Sequence, residues 1–344
     1  MKRERILITS QKLMGDLIVQ TAAFAALRKR FPSAEIIVLC EERISVALST
    51  NRDIDAVWGV PFAASKSLRG LKGLWRKAAL FFSWARRIRA QRFSRVLVTD
   101  YNDKACLWAF FSGAAIRGGL KHQSMSFLLN HLLAEKEGSG DYIDFYLKLA
   151  GTIGATSMAR RTSFYIPDDA PKLQRLIPEI GKIYFVIHPG ASTPEKRWSA
   201  MNWGRLISKI LSLNSGYQMI LVSGPGEKAL CDDVYAAVPK TFNKRVCVFA
   251  ERPLIETAVV MQGARLAFCL DSASRHIAAA LGTATISLVT RWILPTWGLY
   301  SENESHYILA ADVPRDSYNI ERISVNEVVA VFHRAIGKPR AAKR

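Results

Sequence analysis

The stretch Ile183-Tyr-Phe-Val-Ile187-His-Pro-Gly190-Ala-Ser-Thr-Pro-Glu-Lys196-Arg-Trp198 carries the reading of this chain. Five residues rich in β-branched and aromatic side chains read as a buried strand. The run then breaks into a Pro-Gly turn closed by two cations and an aromatic. That inventory suits an anion. Gly190 lets backbone N–H groups approach, Ser192 and Thr193 donate hydrogen bonds, and Lys196 and Arg197 supply positive charge. A nucleotide diphosphate fits these groups. The same residues also describe an ordinary strand-to-helix loop with solvated charges, and the loop alone leaves both readings open.

Outward from this point, short β-rich runs alternate with helical patterns. They are Ile6–Thr9, Glu35–Leu39, Arg95–Thr99, Ile183–Ile187, Met219–Val222, Val246–Phe249, Leu266–Leu270 and Ala284–Val289. Alternation of this kind implies α/β architecture with parallel sheets. Between the third and fourth runs lies a long, mostly helical region ending in Ile166-Pro-Asp-Asp-Ala-Pro171, which reads as a linker. The expected division is therefore 1–170 and 171–325, with 326–344 as a closing helix and a frayed basic tail. In open parallel sheets, ligands bind beyond the carboxyl ends of the strands. The strand-ending loops of two such domains are expected to line a cleft.

A chain of 344 residues, 49% hydrophobic, buries enough core for two domains. Its formal charge of +19 favours anionic partners, among them nucleic acid, acidic membranes and phosphorylated glycans. Five dispersed cysteines without a C-x-x-C pair read as buried free thiols. Lacking an apolar run of about 18 residues or a signal-peptide core, the chain reads as cytoplasmic, with peripheral membrane contact open. No internal repeat or heptad pattern supports a scaffold role.

Three further loops have the composition of ligand sites. After the first strand, Gly15-Asp16 opens a helix, where the carboxylate serves either as a cap or as a base facing the cleft. After Met219–Val222 comes Ser223-Gly-Pro-Gly-Glu227-Lys228, whose acid either caps the next helix or accepts hydrogen bonds from ribose hydroxyls. After Leu266–Leu270 comes Asp271-Ser272-Ala273-Ser274-Arg275-His276, an anion nest at a helix start, with Arg275 or His276 available to neutralise phosphate and Gly282 as the C-cap. Neither G-x-x-x-x-G-K-[ST] nor G-x-G-x-x-G is present, so ATP hydrolysis and hydride transfer lose support.

Taken in order, Gly15-Asp16, His188-Pro-Gly190 with Lys196-Arg197-Trp198, Gly224-x-x-Glu227 and Asp271-Ser-x-x-x-His276 resemble the bacterial lipopolysaccharide heptosyltransferases, glycosyltransferase family 9. Even Ile320-Glu-Arg-Ile-Ser-Val-Asn-Glu-Val328 looks like that family's closing helix. The resemblance implies a GT-B fold of two Rossmann-like domains, an N-terminal one for the acceptor and a C-terminal one for the donor. It implies inverting transfer of heptose from ADP-L-glycero-β-D-manno-heptose to the lipopolysaccharide inner core. Asp16 would be the general base, Lys196 the cation on the leaving diphosphate, Glu227 the ribose ligand, and Asp271 with Ser272, Ala273 and His276 the rest of the donor site. No metal or cofactor is implied. Partners would be the nucleotide sugar and an anionic glycolipid, Kdo-lipid A or a heptosylated core, at the cytoplasmic face of the inner membrane. Two residues depart from the family pattern: Ala273 stands where glycine is usual and Arg275 where a smaller residue is common. These bear on which sugar the donor carries.

From Asp55 to Asp100 no acid intervenes, while ten cations fall between Lys66 and Arg95. Leu71, Leu74, Trp75, Ala78, Phe81, Phe82, Ala85 and Ile88 recur at helical spacing, making an apolar face beside a basic one. This is a core helix with a solvated side, or a surface for anionic lipid or for phosphate and keto-acid groups. Lys66, Arg69, Lys72, Arg76, Arg117 and Lys121 are the acceptor or membrane candidates. A transferase of another sugar or acceptor is the nearest alternative. A nucleic-acid-binding protein would account for the charge, yet no recognisable nucleic-acid-binding module is present and the ordered strand-end loops would lack a purpose.

Overall fold

A computed structural model describes residues 3–10, 13–61, 70–136, 138–298, 300, 305–315 and 317–337; for 70–72 it describes the backbone alone. Lys66, Arg69, the side chain of Lys72 and the tail from Lys338 lie outside the described residues. The chain forms two compact units, Met1–Phe164 and Tyr165–Arg344.

In the first unit, β1 (Arg5–Thr9) leads into α1 (Met14–Arg30), then β2 (Glu35–Glu41) and β3 (Ala56–Val60). Next come α2 (Gly70–Ala90), β4 (Arg95–Val98), α3 (Asp103–Ser112), β5 (Ile116–Leu120), β6 (His131–Leu133) and α4 (Tyr142–Gly151). The strands form one parallel sheet in the order β3-β2-β1-β4-β5-β6. Ile6, Leu7 and Ile8 are fully buried because helices cover both faces of a parallel sheet, which selects unbroken apolar strands. The second core face gathers Leu7, Ile37, Leu39, Trp84, Ile88, Val96 and Trp108.

The second unit repeats the plan: β7 (Ile183–Ile187), α5 (Ala200–Leu213), β8 (Tyr217–Val222), α6 (Lys228–Ala236), β9 (Val246–Phe249), α7 (Leu254–Gly263), β10 (Leu266–Leu270), α8 (Ala273–Ala280), β11 (Thr285–Thr290), β12 (His306–Ala311) and α9 (Val325–Ile336). Its order is β12-β11-β10-β7-β8-β9. Renumbered within each unit, both sheets read 3-2-1-4-5-6. In each, the winding order therefore reverses between the first and fourth strands, which run parallel, β1 and β4 in one unit, β7 and β10 in the other. That reversal opens a crevice at the carboxyl ends of the strands.

All eight expected strands form. Four more, β3, β5, β6 and β12, complete the sheets, so the region expected to be mostly helical holds two strands. β5 reads Ile-Arg-Gly-Gly-Leu, and its glycines hide the period. They are required by packing: a Cβ on Gly118 would lie 2.3 Å from the Thr152 Oγ1, and one on Gly119 2.4 Å from Leu129 Cδ1. The closing helix α9 starts at a capping box in which Ser324 and Glu327 satisfy each other's N–H groups. It seals the second core through Val328 and Phe332, after Ile320 and Ile323 are buried.

Candidate functional site

The donor-type residues assemble at the carboxyl ends of β7, β8 and β10. The first contact joins Gly190, after β7, to Glu227, after β8. A Cβ at position 190 would lie 2.5 Å from both Glu227 carboxylate oxygens, so the side chain rests on bare backbone that only glycine provides. Gly224 N–H donates to Glu227 Oε2 at 3.2 Å, which fixes the carboxylate over the turn. His188 lies on the other side, its Nε2 3.8 Å from Glu227 Oε2. Burial drives the His188 pKa below its ordinary 6.5 despite the neighbouring carboxylate, so the ring is neutral. A carbonyl only accepts, so Nδ1 carries the proton and donates to Gly190 O at 3.1 Å. His188 thus props the turn and forms no ion pair.

The second contact spans the reversal point itself. Lys196 Nζ, in the loop after β7, meets Asp271 Oδ2, directly after β10, at 2.8 Å, and both side chains are 19% exposed. The same ammonium sits 4.5 Å from the centre of the Tyr318 ring. Trp292 braces that ring edge-on at 5.1 Å, and its Nε1–H donates to Ser317 O at 2.7 Å. Beside the pair, Ser272 and Ser274 hydroxyls bond at 2.8 Å at the start of α8. Ala273 is the first residue of that helix, and its backbone is not left-handed, so this position folds without glycine.

Other expected residues are placed differently. Trp198 is core: it donates Nε1–H to Ile323 O at 3.1 Å and meets Trp203 edge-on at 4.9 Å, pinning the loop to the closing segment. Arg197 reaches back to Ala191 O at 3.4 Å. Ser192 and Thr193 are exposed. Glu195's own N–H and the Thr193 hydroxyl hold the Glu195 carboxyl below its ordinary value. Arg275 is 1% exposed, 5.7 Å from the Tyr300 ring centre, and His276 is buried with Nδ1 3.2 Å from Tyr300 Oη. Burial, then the Arg275 charge, holds the His276 pKa well below 6.5. His276 therefore brings no positive charge to the loop.

In the first unit, Asp16 lies in the first turn of α1, just past the end of β1. Leu13 N–H donates to its Oδ2 at 3.1 Å, so the helix-capping geometry exists. The reversal between β1 and β4 is tied by Thr99, whose hydroxyl and N–H both donate to Thr9 O, at 2.9 and 3.2 Å. Arg117 is committed to backbone, donating to Leu128 O at 2.9 Å and Ala114 O at 2.7 Å. Lys121 and Arg76 are exposed.

Three site residues had no sequence signal strong enough to single them out: Tyr318, Trp292 and Glu251. Glu251 follows β9 in the left-handed region at φ 54° and accepts Gly226 N–H at 2.8 Å. A carboxylate two residues past a strand end was the available clue. Cys40, Cys106, Cys231 and Cys269 are buried free thiols, pushed up to about 12 chiefly by burial; Cys247 is half-buried. Among the described residues no group of three or more His, Cys, Asp and Glu is arranged to hold a metal ion. No helix among them is long and apolar enough to cross a membrane.

Two doubly wound sheets in tandem, the second gathering Lys196, Glu227 and Asp271 at its strand ends, are the fold of the GT-B class of glycosyltransferases. A family model described as Glycosyltransferase family 9 (heptosyltransferase) matches residues 81–321, and the chain belongs to that family. Lipopolysaccharide heptosyltransferase 3 of Escherichia coli is 26% identical over 299 residues, 84% of each chain. Lipopolysaccharide heptosyltransferase 2 of E. coli K12 is 23% identical over 301 residues, 83% of this chain and 82% of its own. Among solved structures, a family 9 glycosyltransferase from Veillonella parvula superposes with a TM-score of 0.81 at 19% identity, covering 97% of both chains. E. coli ADP-heptose heptosyltransferase II gives 0.78 at 16%, covering 96% and 98%.

Proposed function

We propose that this enzyme transfers heptose from ADP-L-glycero-β-D-manno-heptose to the inner core of lipopolysaccharide, inverting the anomeric centre. The observation that carries the reading is the Lys196–Asp271 pair at the β7–β10 reversal with Glu227 seated on Gly190 beside it. The named relatives support the acceptor class, and a solved fold relative holds an ADP-heptose analogue, ADP-2-deoxy-2-fluoro heptose. Glu227 accepts hydrogen bonds from the two ribose hydroxyls. The diphosphate takes the Lys196 ammonium away from Asp271 and lies against the Ser272 hydroxyl and the free N–H groups opening α8.

The acceptor hydroxyl gives its proton to Asp16, and its oxygen attacks the anomeric carbon from the side opposite the diphosphate. The bond from that carbon to the β-phosphate oxygen breaks, and ADP leaves with the electron pair. Charge developing on that oxygen is met by Lys196, drawn onto the diphosphate when the donor binds and so in place before the bond breaks. An anionic glycolipid acceptor, Kdo-lipid A or a heptosylated core, brings the enzyme to the cytoplasmic face of the inner membrane, consistent with its +19 charge.

The test is a donor screen by mass spectrometry with truncated Kdo-lipid A and heptosylated core. Product is expected from ADP-heptose with the wild type and is lost in Asp16→Asn. Asparagine keeps an acceptor for the Leu13 N–H, so loss of turnover reports the base and not the cap. Undiminished turnover in this variant removes Asp16 from the mechanism. Transfer of another sugar in preference to heptose overturns the donor assignment.

A further inference from the structure

The helix α2 does not bury all of its apolar residues. Trp84, Ala85 and Ile88 reach the core, and Phe81 stacks on Trp108 with ring centres 5.7 Å apart. Trp75 and Phe82, seven residues apart, share a line on the helix, roughly 140° around from the core-facing side at 100° per residue. They are 76% and 63% exposed. The strip continues onto α3: Phe82 meets Phe81 at 5.3 Å, Phe81 meets Phe111 at 6.4 Å, and Phe111 meets Phe110 at 5.8 Å. Phe110 and Phe111 are 49% and 41% exposed. A contiguous aromatic surface of this kind marks an interaction site.

Its charge identifies the occupant. Arg86 and Arg89, four and seven residues after Phe82, are exposed on the same side of α2, and no acid lies on that helix. The Arg89 guanidinium lies against Gly113, just past Phe111, so a cation also borders the far end of the strip. Arg76, one residue after Trp75 and about 100° around the helix from it, is a third exposed cation at the edge of this face. Aromatic rings with arginines on one exposed face match the headgroup layer of a bilayer, where rings settle among acyl-chain ends and guanidinium groups meet lipid phosphates. We infer that the Trp75–Phe82–Phe111–Phe110 face of α2 and α3 docks the protein on bilayers of anionic phospholipid. This rests on the membrane location proposed above, names the surface that makes the contact, and does not depend on which sugar the donor carries.

The test uses the full chain and co-sedimentation with phosphatidylcholine vesicles, with and without phosphatidylglycerol. Binding is expected to need the anionic lipid and to weaken as salt rises. The Trp75→Ser/Phe82→Ser variant should bind anionic vesicles at least about tenfold more weakly, and each of Arg76→Gln, Arg86→Gln and Arg89→Gln up to about fivefold more weakly. A far-UV circular dichroism spectrum and an unfolding temperature like those of the wild type show that Trp75→Ser/Phe82→Ser is folded, since the two residues lie in the first unit. Equal binding to neutral and anionic vesicles, or wild-type binding by the double serine variant, overturns the inference. A dimer in solution that dissolves in that variant, with no vesicle binding by the wild type, assigns the face to a second copy and also overturns it. Transfer of heptose to a water-soluble deacylated acceptor separates the two readings: it should survive the serine substitutions, and its absence in the wild type counts against the proposed reaction alone.

Discussion

Replacing Gly190 by alanine should cripple nucleotide binding while leaving the fold intact. The added Cβ would stand 2.5 Å from both Glu227 oxygens and 2.6 Å from its Cδ, where ordinary contact begins at 3.4 Å. The carboxylate must retreat by roughly 1 Å or swing out, breaking the 3.2 Å bond from Gly224 N–H and losing register with the ribose hydroxyls. Hydrogen bonds to a charged group are worth about 1.5–3 kcal/mol, so the ADP dissociation constant should rise about 10- to 150-fold. Stability should change by less than about 1 kcal/mol. Residue 190 is not in the left-handed region, and the entropic gain of Gly→Ala offsets the lost bond. Titration calorimetry with ADP and thermal unfolding read the two effects. The decisive measurement is the double-mutant cycle: in a Glu227→Ala background the methyl group should cost less than about 0.5 kcal/mol, because nothing remains for it to displace. ADP affinity within twofold of wild type in Gly190→Ala would refute the reasoning. So would the same loss in both backgrounds, which would mean that the methyl group meets the nucleotide directly.

Two further outcomes are expected. Tyr318→Ala frees the Lys196 ammonium on one side and should weaken ADP binding about 2- to 30-fold, whereas Tyr318→Phe keeps the ring face and should bind like wild type; equal behaviour of the two variants rules out the ring as the positioning group. His306, hydrogen-bonded to Thr285 at 3.0 Å, is lowered from 6.5 to about 4, mainly by burial. As pH falls below 6.5 the unfolded chain takes up this proton and the folded chain does not. The sign is therefore a loss of stability between about 6.5 and 4, about 2 kcal/mol at pH 5 relative to pH 8. His188 and His276, also lowered by burial, add to the slope with the same sign, so in denaturant unfolding His306→Gln should reduce the slope by about that amount; an unchanged slope removes His306 as a source.

Strand-ending loops were legible because each couples a long apolar run to a sharp change of composition. Ile183–Ile187 before His188-Pro-Gly190 and Leu266–Leu270 before Asp271-Ser272 need no partner to be recognised. The short or glycine-bearing strands were not. β6 has three residues, and β5 and β3 contain glycine, so their identity comes from the hydrogen bonds of neighbouring strands and not from periodicity. The charged pair followed the same rule. Lys196 and Asp271 were each visible as members of anion-type loops, but their 75 residues of separation closed to 2.8 Å because β7 and β10 are adjacent, a pairing set by strand order.

Side-chain direction was decided last of all. Trp198 and His276 stood in loops that suited ligand contact, yet packing turned Trp198 into the core and sealed His276 behind Tyr300. Trp75 and Phe82 lay on a helix with ample core positions, yet the interior was filled by Trp84, Ala85 and Ile88, which left those two rings in solvent. Composition and order along the chain therefore specify the two-domain α/β plan and the loops that serve it, because hydrophobic period and turn chemistry are local. Which side chains meet, and which remain exposed for a ligand or a membrane, depends on strand order and on competition for a finite core, and those quantities exist once the chain is packed.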